Sequence, residues 1–121
     1  MLDRLRHRAD FLRAQRGVRR VFPTVTLEAI ATPEKFSKPS NVRVGFTATK
    51  KLGGAVERNR AKRRLRAAAA AVLPLYGREG NDYVLVARSA TLTAPFAQLQ
   101  EELAAALKAA HARLARPGQS L

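Results

Sequence analysis

The sequence predicts an α+β fold: a single-domain α/β sandwich in which helices pack against a mixed sheet of about four strands. Two segments alternate apolar and polar residues as half-exposed strands do, and a third is apolar on both faces. Three other segments repeat apolar residues at helical spacing. The predicted order is helix, two or three strands, helix, strand, helix, within one domain of residues 1–121.

The first half of the chain is predicted to form one helix and the two alternating strands. A weak apolar stripe around Phe11, ended by Gly17, indicates a helix over about 8–16. The segment 23–31 predicts a strand with one solvent-exposed face. Its inward positions are Val25, Leu27 and Ala29, and its outward positions are Thr24, Thr26 and Glu28. A loop rich in Pro, Ser and Lys spans 32–41, and a second half-exposed strand follows at 42–48.

The second half predicts a long helix, a central strand and a last helix. The long helix spans about 55–73, and its apolar face consists of Ala61, Leu65, Ala68 and Val72. A loop punctuated by Pro and Gly leads to the strand 83–87. Thr93 is predicted to cap the last helix, which has Pro95 in its first turn and runs to about 115. Residues 116–121 are predicted to form a frayed tail.

The charge of the chain points to a polyanionic partner. The 121 residues carry 23 Lys and Arg against 9 Asp and Glu, a net charge of +14. Residues 1–66 hold 18 of the basic and 5 of the acidic side chains, so nearly all of the excess lies in this half. Nucleic acid and an anionic membrane surface both remain possible partners on this ground alone.

Composition excludes several other classes. The chain has no cysteine, which excludes disulfide scaffolds and thiolate metal sites. It has no apolar stretch of the roughly 18 residues that a membrane helix needs, and residues 1–20 lack the apolar core of a secretory signal. A cytoplasmic location is therefore expected.

No catalytic or metal-binding side chain is predicted. His7 and His111 are far apart in sequence, and His111 is expected to be an ordinary, partly exposed histidine of the last helix. Glu79 and Asp82 are expected to be solvated loop charges. No pair of carboxylates has a spacing that suggests acid–base or two-metal chemistry.

The most informative stretch is Gly45–Arg66, GFTATKKLGGAVERNRAKRRLR. A half-exposed strand ends in Lys50 and Lys51, two glycines allow a tight turn, and the following helix begins with clustered cations. Cations near a helix N-terminus oppose the helix dipole, and those at i,i+4 spacing repel one another. Since only Glu57 offsets them, the arrangement favours a bound polyanion over a merely solvated basic face.

This stretch resembles the bacterial ribonuclease P protein subunit. The string Arg58-Asn59-Arg60-Ala61-Lys62-Arg63 is similar to the RNR signature of that family, and Lys50 to Val56 matches the segment that precedes it. The resemblance extends to Asp10-Phe11, to Arg43-Val44-Gly45-Phe46, and to Tyr83–Arg88 followed by the last helix.

The resemblance implies the RNA-binding protein subunit of a ribonucleoprotein endonuclease, a hydrolase that removes the 5′ leader of precursor tRNA. The catalytic groups would then belong to the catalytic RNA and to Mg²⁺ held mainly by that RNA. Neither an organic cofactor nor a protein partner is expected. The family's fold also implies a left-handed βαβ crossover, against the general right-handed rule.

The resemblance also assigns two RNA-binding surfaces by position. The contact with the catalytic RNA would comprise Arg58, Asn59, Arg60, Lys62, Arg63 and Arg66. The cleft for the single-stranded leader would comprise Phe11, Thr24, Thr26, Glu28, Thr47, Thr49, Lys50 and Lys51. Arg64 and Arg88 are further expected RNA contacts. For Phe11, packing in the core is the alternative to stacking on a leader base.

Two positions depart from the family's pattern. Relatives often have an aromatic residue where this chain has Gln15, and a tyrosine where it has Glu28. Stacking in the cleft is therefore expected to be weaker here, with more weight on Lys50, Lys51 and hydrogen bonds.

Two alternative functions differ in class. A structural RNA-binding protein of ribosomal type would bind RNA without dependence on a leader. A membrane-surface protein would use a basic amphipathic helix, but the apolar face here is mostly alanine and lacks the large residues that such helices use.

Overall fold

Five strands form one mixed sheet with helices on both faces in this computed structural model, which describes residues 2–36 and 41–114. Along the chain the elements are β1 (Leu2–Arg4), α1 (Arg8–Ala14), β2 (Val18–Val21), β3 (Val25–Ala31), β4 (Val42–Thr47), α2 (Ala55–Tyr76), β5 (Asn81–Ala87), α3 (Ser89–Thr93) and α4 (Phe96–Leu114). Short 3-10 turns lie at Glu34–Phe36 and Lys50–Leu52. The α+β class is therefore confirmed.

The strand order β1-β4-β5-β3-β2 places β5 at the centre of the sheet. Strand β4 is parallel to both β1 and β5, whereas β3 is antiparallel to β5 and β2. Because β4 and β5 are parallel neighbours, α2 forms a crossover between them. The left hand of that crossover stays a prediction.

Helices α2 and α4 cover one face of the sheet and enclose the main core. Leu65 of α2 and the α4 residues Leu99, Leu103 and Leu107 are fully buried against apolar residues of β3, β4 and β5. Burying each such leucine contributes about 1.5–3 kcal/mol relative to exposure. The predicted apolar face of the long helix is confirmed, since Ala61, Leu65, Ala68 and Val72 are all buried.

Two edge strands that were not located from the sequence, β1 and β2, bring the described sheet to five strands, against about four expected. Strand β1 pairs with β4, and β2 pairs with β3. Both are short and rich in arginine, LDR and VRRV, and neither alternates cleanly. Their strand conformation comes from pairing with a neighbour, which composition alone does not indicate.

Several element ends also differ from prediction. Helix α2 continues through Pro74 to Tyr76 instead of ending at Leu73. Just after the helix, Gly77 N donates a hydrogen bond to Leu73 O at 2.7 Å. Thr93 does not cap the last helix, because it ends the short helix α3. The predicted tail 116–121 lies outside the described residues.

Candidate nucleic-acid interface

Helix α2 presents one basic flank toward the edge of the sheet. At 100° per residue, Ala61 and Leu65 face the core while Asn59, Lys62 and Arg66 lie together on one side. Arg66 lines a groove of about 160 Å³ together with residues 2–4 and residues of β4. We refer to Asn59, Lys62 and Arg66 as the α2 flank.

Three further cations of the predicted catalytic-RNA contact lie elsewhere on α2. Arg60 and Arg63 are exposed on the outward side of the helix. Arg58 is half-buried, and its Nε donates to Gly54 O at 3.4 Å. The six predicted contact residues therefore extend around the first three turns of α2 instead of forming one patch.

Arg64 has a structural role, which corrects its expected RNA contact. Its guanidinium donates to Thr91 O at 2.9 Å, Leu92 O at 3.0 Å and Ala94 O at 2.7 Å. These carbonyls lie at the C-terminal end of α3, where a helix leaves carbonyl groups without partners in the helix. Arg64 thereby joins α2 to α3.

The other face of the sheet carries α1, and Phe11 lies directly over Gly45. A Cβ atom at position 45 would come within 2.7 Å of Cε1 and Cζ of the Phe11 ring. The ring is half-buried and packs beside Leu5, Ala14 and Val84. Phe11 is thus both a packing residue and a partly exposed one, and glycine at 45 makes room for it.

Strand register places three rows of side chains on this face. The first row is Arg43, Asp82 and Ile30; the second is Gly45, Val84 and Glu28; the third is Thr47, Val86 and Thr26. Helix α1 packs over the first two rows, so the third row lies beside α1, where the leader cleft is predicted. Lys50 and Lys51 lie in the exposed turn after β4.

The predicted exposed face of β3 is wrong. Thr24 and Thr26 are buried, and Glu28 is only 7% exposed, because β3 lies between β2 and β5 and α1 crosses it. Thr24 donates through N and Oγ1 to Glu102 Oε1 at 2.9 and 2.7 Å, and its carbonyl accepts from Thr91 Oγ1. Thr24 therefore joins β3 to α4 and is removed from the cleft.

Thr26 and Glu28 are less available to RNA than the sequence suggested. Thr26 Oγ1 accepts a long hydrogen bond of 3.4 Å from Arg88. Burial raises the pKa of the Glu28 carboxyl, and the charge of Arg19 beside it opposes that shift. Arg19 is the register partner of Glu28 across β2 and β3, so a cation lies next to this carboxyl group.

Sequence reasoning missed part of this cleft. The exposed residues Arg19 and Val21 belong to the unpredicted strand β2, and Val86 is half-buried in the third row. Arg88, predicted as an RNA contact, is exposed at the end of β5. The strand register would have indicated Val86, because it pairs with both Thr26 and Thr47.

A buried ion network holds α1 on the sheet, and it was also missed. Arg13 NH2 lies 2.8 Å from Asp10 Oδ1 and 2.7 Å from Asp82 Oδ2, while Arg43 lies 3.0 Å from Asp10 and 3.4 Å from Asp82. Thr32 Oγ1 also donates to Asp82, at 2.7 Å. We call Asp10, Arg13, Arg43 and Asp82 the ion network. The expectation that Asp82 is a solvated loop charge is wrong, since its side chain is fully buried in β5.

The network keeps the carboxyl group of Asp10 charged. Burial opposes the charged form of Asp10, but hydrogen bonds and charges from Arg13 and Arg43 outweigh burial and lower its pKa. Asp10 and Asp82 are each within ion-pair distance of both Arg13 and Arg43, so this cluster does not fit a cation site. Within residues 2–36 and 41–114, no group of three His, Cys, Asp or Glu side chains could hold a metal ion.

His111 is not the partly exposed histidine that was expected. It is 4% exposed, and its Nε2 lies 2.5 Å from the Tyr83 hydroxyl. That hydroxyl accepts from Arg78 N at 3.0 Å and Asn81 Nδ2 at 3.3 Å, so its own proton is directed to His111. Burial, together with the charge of Arg78, lowers the pKa of His111, which holds the ring neutral as a packing residue.

None of the helices in the described parts of the chain has the length and apolar character required to cross a bilayer.

Comparison with known proteins identifies the family. The family model described as Ribonuclease P matches residues 2–111. The ribonuclease P protein component of Caulobacter vibrioides is 48% identical over 118 residues, covering 96% of this chain and 76% of that protein. That of Paramagnetospirillum magneticum is 46% identical over 109 residues, covering 88% and 81%.

Solved structures agree with this result. The Staphylococcus aureus RNase P protein has 26% identity and a TM-score of 0.69, covering 88% of this chain and 94% of that one. The Thermotoga maritima RNase P protein shows the same fold, with a TM-score of 0.71 and 24% identity. The match covers 88% of this chain and 96% of that one. The chain belongs to the ribonuclease P protein family, and is an RNA-binding protein component of that tRNA-processing endoribonuclease.

Proposed function

We propose that this chain serves ribonuclease P through two separate surfaces, one for the catalytic RNA and one for the single-stranded 5′ leader of precursor tRNA. The observation that carries the proposal is the face of the sheet beside α1, where the partly exposed ring of Phe11 lies over Gly45 and exposed cations lie on or next to the neighbouring strands. A ribosomal-type RNA-binding function is not favoured, given the family to which the chain belongs.

The leader surface combines a stacking residue with cations. The ring of Phe11 is partly exposed, and its stacking on a base would tolerate any base sequence. Thr47 and Val86 form the floor beside it, and exposed Arg19 and Arg88 stand where they can neutralise phosphates. Thr49, Lys50 and Lys51 continue the same rim toward α2.

The proposed surface for the catalytic RNA is the α2 flank, with Arg60 and Arg63 beside it. Arginine and lysine at these positions neutralise phosphates and release condensed counterions. Asn59 adds an amide that can donate to or accept from the RNA. Lys62 and Arg66 lie one helical turn apart and repel each other in the free protein, so bound phosphates relieve a repulsion that the fold otherwise carries.

The chemistry is assigned to the RNA. Asp10 and Asp82, the two acidic side chains of the ion network, are paired with arginines. Mg²⁺ would therefore be held mainly by the catalytic RNA and would supply the activated water there. The protein orients the leader and neutralises phosphates, in the cytoplasm, and so lowers the Mg²⁺ concentration that cleavage requires.

A cleavage experiment tests this function. The purified chain is added to a bacterial catalytic RNA at low Mg²⁺, and cleavage of precursor tRNA is measured; acceleration is expected, and its absence would overturn the proposal. The double variant Lys62→Gln, Arg66→Gln should weaken binding to the catalytic RNA and reduce its salt slope by about 2. The matched control Lys108→Gln, Arg113→Gln removes the same charge from exposed positions of α4 and should leave the slope unchanged.

A further inference from the structure

A second basic pocket lies on the opposite side of α1 from the leader cleft. It has a volume of about 430 Å³ and is lined by Asp3, Arg4, Arg6, Lys35, Phe36 and Arg43. Four of these side chains are cationic, and the carboxylate of Asp3 already accepts from Asn41 Nδ2 at 2.6 Å. The pocket is therefore positive and suits a phosphate group.

An exposed aromatic ring lies beside these cations. Phe36 is 45% exposed although it is a large apolar residue. Lys35 Nζ and Arg43 Cζ lie 5.1 and 5.0 Å from the centroid of its ring. Arg43 is fixed in the ion network, whereas Lys35 is exposed and can move to a phosphate while a base takes its place on the ring.

The pocket can be reached from the leader cleft around the start of α1. Along β4, Arg43 lies on one side of Gly45 and Thr47 on the other. Because Phe11 of α1 lies over Gly45, α1 separates the pocket at Arg43 from the cleft at Thr47. Three exposed arginines lie from the end of β1 to the start of α1: Arg4, Arg6 and Arg8. These cations form a path between the two sites.

We infer that a long leader leaves the cleft, passes the N-terminal end of α1, and places a phosphate among Arg4, Arg6 and Lys35 with a base on Phe36. This inference rests on the proposed function, because it extends the path of the same single strand. A combination of cations and an exposed aromatic ring is the chemistry by which proteins bind single-stranded RNA without sequence preference.

Phe36 also has a packing role that the test must separate from stacking. Its ring covers the guanidinium of Arg43, so loss of the side chain could loosen the ion network. Phe36→Leu keeps an apolar cover over Arg43 but removes the π face. Thermal unfolding of each variant shows whether the fold is retained.

The experiment compares holoenzymes on precursor tRNAs with no leader, with a leader of about 4 nucleotides and with one of about 16, lengths that span known single-strand sites. The wild-type protein should bind the long-leader substrate more tightly than the short-leader one. Phe36→Leu should weaken binding of the long-leader substrate by about fivefold and leave the short-leader substrate unchanged. Arg6→Gln with Lys35→Gln should also lower the salt slope for the long leader by about 1.4.

The outcomes separate this inference from the proposed function. If wild type gains affinity from the short leader but nothing more from the long one, the second site does not exist and the leader cleft stands. If the variants weaken all three substrates equally, the pocket is not a leader site. If the leader has no effect at any length, the proposed leader cleft itself is wrong. Lys108→Gln with Arg113→Gln provides the charge-matched control, which should change none of these differences.

Discussion

Arg13 of α1 donates to the buried carboxylate of Asp82 in β5 at 2.7 Å, and this ion pair fixes the helix that carries Phe11. The side chain of Asp82 has no exposed surface, and Arg13 is about one quarter exposed. Removing one member of such a buried pair leaves the other charge without compensation. The position of the leader cleft therefore depends on a residue that does not line it.

Asp82→Ala should lower the free energy of unfolding by about 3 kcal/mol or more, because Arg13 and Arg43 lose a buried counter-charge. Chemical denaturation measures this change in the free energy of unfolding. Glu101→Ala, at an exposed site on α4, should change stability by no more than about 0.5 kcal/mol. A loss below about 1 kcal/mol for Asp82→Ala would show that the network contributes little.

Arg63 and Arg64 are adjacent cations of α2 with different expected roles. Arg64→Gln should destabilise the fold by about 1–2 kcal/mol, since three carbonyls at the end of α3 lose their donor. Arg63→Gln should leave stability unchanged and weaken binding to the catalytic RNA. Denaturant titrations measure the stability of both variants, and RNA titrations measure their affinity for the catalytic RNA. Equal stabilities would remove the structural role given to Arg64.

Acidification should destabilise the protein through His111. Its pKa is lowered in the fold, so the unfolded chain binds the proton more readily. The contribution of neutral His111 is complete above the unfolded pKa of about 6.5 and is lost as pH falls toward the lower folded value. The variant His111→Leu has no titrating group at this position. The slope of its free energy of unfolding against pH should therefore be smaller, by at most about 1.4 kcal/mol per pH unit.

Urea unfolding at a series of pH values between about 5 and 7.5 separates this effect from other groups. The lowered pKa of Asp10 acts below its ordinary value of 3.8, outside that range. The raised pKa of Glu28 gives a slope of opposite sign, and it is present in both proteins, so the difference between them isolates His111. Identical slopes would contradict the buried neutral histidine.

Gly45→Ala should displace the Phe11 ring, because the new Cβ would lie 2.7 Å from it. A loss of stability of about 1–3 kcal/mol is expected, with weaker affinity for leader-bearing substrate. In a Phe11→Ala background the same substitution should cost much less, since the clash is gone. Additive losses in this double-mutant cycle would mean that Gly45 acts independently of Phe11.

The sequence predicted an element correctly where the spacing of its apolar residues follows from the burial of that element. The apolar face of α2, including Ala61 and Leu65, was correct because helical spacing reports directly on packing. The exposed face of β3 was wrong for Thr26 and Glu28, because alternation does not reveal which helix covers the second face. Asp82 was missed because its burial depends on partners distant in sequence, Arg13 above all.

The candidate site was predictable to different degrees on its two surfaces. On α2, residue spacing alone placed Lys62 and Arg66 among exposed or half-exposed cations. It could not show that Arg64 reaches α3, since side-chain hydrogen bonds across 27–30 residues leave no local pattern. The cleft needed the sheet register, which put Val86 beside Thr47.

The most direct test of the account is the affinity of the reconstituted holoenzyme for precursor tRNA with its leader, relative to tRNA without one. Wild-type protein should favour the leader-bearing form. Phe11→Ala should reduce that preference by about fivefold or more, the value of one stacked base, without loss of the fold. An unchanged preference in a folded Phe11→Ala variant would contradict the leader cleft proposed beside α1.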